Sequence, residues 1–198
     1  MLKTVDTNKP KYNRTSVKTI SKKRKDQKVY AFIDSQNVNL SVQDKGWKLD
    51  WTAFRKYLAE KFNVLKAFLF IGYMPGNETL YSTLQQQGYI LIFKPLVEAG
   101  DHGVKGNVDA ELVLRAMLEY RNYDSAVIVT GDGDFHALVD HLESTGKLKA
   151  LIVPNKEKYS SLLKKFELKI DSISSHRKKL EYTHRSSRQP KKNPRKSG

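Results

Sequence analysis

Five short apolar runs, separated by segments of helical period, constrain this chain more than any other feature of its sequence. The runs are VYAFID (29–34), VLKAFLFIGY (64–73), YILIFK (89–94), SAVIVT (125–130) and KALIVP (149–154). Each is read as a strand of mostly hydrophobic residues, as strands buried on both faces are. Between them, DWTAFRKYLAEKF (50–62) spaces Trp51, Phe54, Leu58 and Phe62 along one helical face, with Asp50 as its cap. NETLYSTLQQQG (77–88) reads as a helix closed by Gly88, and VDAELVLRAMLEYR (108–121) and DFHALVDHLESTG (134–146) as two more. KYSSLLKKF (158–166) has a helical pattern, and LKIDSI (168–173) suits a short edge strand. Strands that are apolar on both faces need cover on both. The expected fold is therefore α/β: a three-layer α/β/α sandwich around a central parallel sheet.

In such a sheet, ligands bind outside the carboxyl ends of the strands, beside the point where strand order reverses. Asp34 closes the first strand, and Asp132 and Asp134 follow the fourth in TGDGDF. Asp109 lies just inside the helix that opens after the polar segment PLVEAGDHGVKGN (95–107), so it faces the same rim. Asn37, three residues beyond Asp34, is turned back toward that rim by one helical turn. Four carboxylates and a carboxamide on one edge describe a site for a hard divalent cation, Mg2+ or Mn2+, which prefers oxygen ligands. Taken singly, Asp132 also suits a helix cap and Asp109 a first-turn acid. Asp34 resists such a reading, because a carboxylate ending an apolar strand needs a partner.

Other motifs are weaker. His136 and His141 stand five apart, which does not place two zinc ligands on one helical turn. GDHGVKG lacks the spacing of a phosphate-binding P-loop, and the carboxylates of GDGD would repel a dinucleotide's pyrophosphate. His102 and Lys105 lie in the polar loop that could cover the rim, where a solvated role for Lys105 outweighs a phosphate contact.

The net charge of +15 is concentrated at the two ends. Residues 1–28 carry ten Lys/Arg against two Asp, and residues 174–198 carry nine against one Glu, whereas 29–173 hold 17 basic and 18 acidic residues. The expected organisation is a basic flexible tail (1–28), a near-neutral domain (29–173) and a second basic flexible tail (174–198). Arms of this kind bind polyanions through phosphates and supply affinity without sequence choice. With no cysteine there is no disulfide framework and no Cys-based zinc site. No apolar run approaches a membrane span, and the first 25 residues lack the core of a secretory signal, so a cytoplasmic location is expected.

The segments FIDSQNVN, KGNVDAELV and VTGDGDFHALV resemble the three signature segments of NYN domains, PIN-like metal-dependent ribonucleases, in the LabA-like branch. The resemblance covers roughly residues 29–172. It implies a PIN-like sheet of order 3-2-1-4-5, with the family's acidic positions on Asp34, Asp109, Asp132 and Asp134 and its asparagine on Asn37. It further implies RNA as partner, single-stranded RNA included; the apolar pattern predicts no membrane, and a homodimer is left open. The expected activity is phosphodiester hydrolysis in RNA, dependent on Mg2+ or Mn2+ held by those four acids, with the basic tails aiding RNA binding. Two rivals stand beside it. A phosphatase or topoisomerase-primase-like domain also sets aspartates at strand ends, although an aspartyl-phosphate enzyme wants DxD where this chain reads DSQ. A non-catalytic RNA-binding or regulatory protein on the same fold is the other.

Overall fold

The computed structural model describes residues 27–94, 97–98, 104–105 and 108–183. Six strands form one wholly parallel sheet: β1 (Val29–Asp34), β2 (Val64–Gly72), β3 (Tyr89–Lys94), β4 (Ser125–Val129), β5 (Leu148–Val153) and β6 (Ile170–Ser172). Their order is 3-2-1-4-5-6. The five-strand order is as expected, with the short edge strand added as a sixth. Val97–Glu98 and Val104–Lys105 pair antiparallel as a separate two-stranded sheet.

The alternation within each strand assigns its two faces. From β1, Val29, Ala31 and Ile33 join Val127, Val129 and Ile152 in one buried cluster. Helices α1 (Ser35–Gln43), α2 (Trp51–Phe62) and α3 (Glu78–Gln86) cover that face, supplying Val38, Val42, Phe54, Leu58 and Leu84. Tyr30, Phe32, Phe68 and Ile128 point the other way. There they meet Leu112 and Ala116 of α4 (Val108–Leu118) and Leu138, Val139 and Leu142 of α5 (His136–Ser144). Two cores on opposite sides of one sheet make the three layers.

Local signals explain the helix ends. Asp50 Oδ1 accepts from the N–H of Ala53 at 3.0 Å, as a cap should. Gly88, at φ +89°, ends the turn after α3 in a left-handed conformation that other residues adopt only under strain. Helix α1 is too polar to show in the hydrophobic pattern, with two of its apolar residues, Val38 and Val42, buried. The segment expected as a helix at 158–166 winds instead as 3-10 turns over Ser161–Lys169, with Leu163 and Phe166 buried.

The packed chain runs beyond the boundary expected at residue 173. Ile173 and Leu180 are buried, at 0% and 1% exposure, in the core shared with α2. The Asp50 N–H donates to Leu180 O at 2.8 Å, and Glu181 bridges Leu49. Residues 174–182 thus belong to the domain, because Leu180 gives this basic segment an apolar anchor. Residues 1–26 and 184–198, where the rest of the two expected tails falls, lie outside the described residues.

Candidate active site on the carboxyl rim

The parallel order places the ends of β1 and β4 side by side, with Ile33 paired to Val129. Asp34 is the last residue of β1 and 5% exposed. Its Oδ1 accepts from the Asn37 N–H at 3.1 Å, capping α1, and Thr130 Oγ1 donates to its Oδ2 at 3.4 Å. Burial is the main cause that pushes its pKa up to about 6. The Asn37 N–H opposes that shift, while the charges of Asp109 and Asp132 add to it. Asp34 is therefore a carboxyl held among like charges, away from water.

Asp132 follows Thr130 and Gly131 at the end of β4. Its N–H donates to Thr130 Oγ1 at 3.1 Å, and its Oδ1 accepts from the Asp134 N–H at 3.0 Å, capping the 3-10 turn Gly133–Phe135. Asp132 is half-buried and Asp134 exposed. Capping and clustering are thus not exclusive: one oxygen of Asp132 caps, and the residue's charge reaches Asp34 and Asp109. Asp109, in the first turn of α4, is half-buried. Burial first, then Asp132 and Asp134, raise its pKa, and Lys94 works against them. The four carboxylates accordingly share one electrostatic neighbourhood. Among the described residues, no three acidic or histidine side chains draw close enough to form a ready-made metal cage.

Asn37 is brought to the same place with its oxygen already engaged. Its Oδ1 accepts from the Gly131 N–H at 2.7 Å, bracing the loop after β4. The glycines of TGDGDF are needed for space. A Cβ on Gly131 would stand 3.3 Å from Asn37 Oδ1, and one on Gly133 would collide with Ser160 Oγ. A cleft of about 470 Å3 opens beside the acids, lined by Asn37, Leu40, Asp132, Asp134, Lys158 and Tyr159. Of the loop residues considered from sequence, His102 lies outside the described residues and Lys105 is described by its backbone alone.

Sequence reasoning missed Lys94, the last residue of β3, buried near Asp109 and Glu111. Its signal was present: a lysine ending the apolar run YILIFK at the height where Asp34 ends VYAFID.

A six-stranded parallel sheet of this order, with acids gathered on its carboxyl rim, defines a PIN-like α/β domain. The sequence model of the NYN domain matches residues 28–169, and the chain belongs to the NYN domain family. NYN domains are nuclease-like and RNA-associated, and the family lies within the PIN-like nuclease superfamily, whose members usually use divalent metals. Over 123 residues the chain is 26% identical to the low amplitude and bright protein LabA of Synechococcus elongatus, covering 57% of this chain and 66% of that protein. The crystal structure of a protein of unknown function from Vibrio parahaemolyticus superposes with a TM-score of 0.65 at 22% identity. That match covers 74% of this chain and 93% of the other, and shows the shared fold. Among the described residues, no helix is long and apolar enough to cross a membrane.

Proposed function

We propose that the chain is a metal-dependent ribonuclease that hydrolyses phosphodiester bonds of RNA at the acidic rim. The observation that carries this reading is Asp34, a buried carboxyl pushed up to about 6 by burial and by its acidic neighbours Asp109 and Asp132. A fold does not gather like charges around a buried acid without a cationic or protonic partner to relieve them. The donors are hard oxygens, which suits Mg2+ or Mn2+, with Asp34 and Asp132 as the direct ligands and Asp109 and Asp134 around them.

When bound, such an ion supplies a water of lowered pKa and neutralises charge on the attacked phosphate. The chain's own residues do the rest. Thr130 and the Asn37 N–H orient the Asp34 carboxyl. Asn37 Oδ1 fixes the loop that carries Asp132 and Asp134. The neighbouring cleft, with Tyr159 and Lys158 on its wall, is suited to the base and sugar next to the cleaved bond. The basic ends offset at a distance the repulsion between acidic rim and RNA. The reading places the enzyme in the cytoplasm, acting on single-stranded RNA.

A second reading, an RNA-binding regulator without catalysis, is favoured by the separation of the four acids, which form no ready-made cage among the described residues. Labelled single-stranded RNA incubated with the full chain in Mn2+, Mg2+ or EDTA decides between them. Metal-dependent cleavage that Asp34→Asn abolishes supports the enzyme. Binding without cleavage in every metal supports the regulator.

A further inference from the structure

Lys94 ends β3, and the alternation of that strand puts it on the same face as Ile92, which packs toward α4 and α5. It is 7% exposed, and among the described residues its Nζ has no hydrogen-bond partner and no ion pair. Other half-covered lysines of this fold behave differently. Lys147 Nζ donates to Tyr120 O at 2.7 Å and Tyr123 O at 2.6 Å, and Lys169 Nζ donates to Glu143 at 2.6 Å and Leu148 O at 3.0 Å. Those are structural lysines with their donors used. Lys94 has three unused donors under cover.

Its position makes the absence of a partner more telling. The first turn of α4 carries Asp109 and Glu111, whose charges reach Lys94. A buried ammonium without a hydrogen-bond partner is stabilised by a group that brings several acceptors and negative charge, which a phosphate does and a lone carbonyl does not.

We propose that Lys94 is a phosphate subsite of the rim, receiving a phosphodiester of the bound strand on the β3 side of Asp109, away from Asp132 and Asp134. This rests on the reading that a polynucleotide lies across the acidic rim. The strand would then run from the Tyr159 cleft over the acids to Lys94, held at both ends. Lys94 binds substrate there, and the cleavage chemistry stays with the acids.

The test compares the full chain with Lys94→Met and Lys94→Arg. Binding of a single-stranded RNA oligonucleotide is followed by fluorescence anisotropy across a salt series in EDTA, where metal-dependent cleavage does not run, and ligand-free thermal unfolding is measured in parallel. Lys94→Met is expected to weaken binding about tenfold and to reduce the salt slope by roughly 0.7, the contribution of one single-strand phosphate contact. Its Tm without ligand is expected to stay level or rise, because an unpaired buried charge has been removed. Lys94→Arg is expected to keep most of the affinity. Unchanged affinity and slope in Lys94→Met overturn the proposal, as does absence of oligonucleotide binding by the parent. A lower Tm with unchanged affinity overturns it too and makes Lys94 a counter-ion for Asp109. A parent that binds the oligonucleotide but cleaves no RNA sinks the nuclease reading and leaves the Lys94 comparison valid.

Discussion

Replacing Asp34 with Asn should stabilise the protein in EDTA while abolishing any cleavage, an unusual pairing that follows from its surroundings. The carboxyl is 5% exposed, and its pKa moves from the usual 3.8 to about 6. The sign is set by linkage. Above pH 6 both folded and unfolded chains carry the ionised group, and the folded chain bears the cost of burying it among Asp109 and Asp132. As pH falls from 6 to 3.8 the folded state takes up its proton first and the penalty fades, and below 3.8 it is gone. The difference corresponds to ~3 kcal/mol at neutral pH. Asn keeps the cap to the Asn37 N–H but pairs less well with Thr130, so a gain of about 2 kcal/mol is expected. In a domain of this size that is roughly 4–8 °C in Tm. Thermal unfolding of parent and variant in EDTA at pH 7.5 and at pH 3.5 checks both the size and its disappearance. A variant that is no more stable at pH 7.5, or equally displaced at both pH values, would refute the picture of a carboxylate buried among like charges.

Three further outcomes are expected. Millimolar Mn2+ should raise the parent's Tm, by about 2.7 kcal/mol of stability at a hundredfold excess over Kd, and should leave the double variant Asp132→Asn/Asp134→Asn unmoved, as calorimetry can show. Deleting residues 184–198 should leave Tm unchanged and flatten the salt dependence of RNA binding. Deleting 174–198 should destabilise the domain, and Leu180→Ala alone should cost about 2–4 kcal/mol in urea unfolding, since that side chain is 1% exposed. Asp171→Asn should lower stability at neutral pH. Burial raises the Asp171 pKa, but hydrogen bonds from Lys61, Tyr57, the Ser172 N–H and His176 outweigh that and hold it below the usual carboxylate range. A carboxyl with a depressed pKa stabilises above its unfolded value, so the gap between parent and variant should close as acid protonates Asp171, which melts from pH 7 down to pH 2.5 would reveal.

The sheet was legible in the sequence because a strand covered on both faces must be apolar at successive positions, and five segments of this chain are. Helices with a single buried stripe, such as Trp51–Phe62, were legible for the same reason. Helix α1 is legible only as the turn that brings Asn37 back to the rim, since SQNVNLSVQ contributes little apolar surface; its start is marked by Asp34, whose side chain caps it. The C-terminal boundary is not legible in the charge of residues 174–198, because one buried leucine, Leu180, decides where packing stops. The rim acids were legible through the rule that parallel sheets open at their carboxyl ends. What the sequence could not show was how their oxygens are shared, with Asn37 bracing Gly131 and Asp132 capping its own turn. Lys94 escaped because a terminal lysine on an apolar run reads as a strand end reaching solvent, and here it does not reach it.

The contact between Gly133 and Ser160 carries a consequence for how this family can vary. The loop after β5 presses onto the loop after β4, the Ser160 N–H donating to Gly131 O at 3.0 Å, and no room remains for a Cβ at 133. Gly133 has an ordinary backbone φ, so crowding by a neighbour, and not conformation, demands the glycine. Two distant positions are therefore locked in one volume. Gly133→Ala should be tolerated beside Ser160→Gly and not beside serine. Related chains should accordingly exchange size between these two positions, a covariation that links the acidic turn to a loop bearing none of the acids.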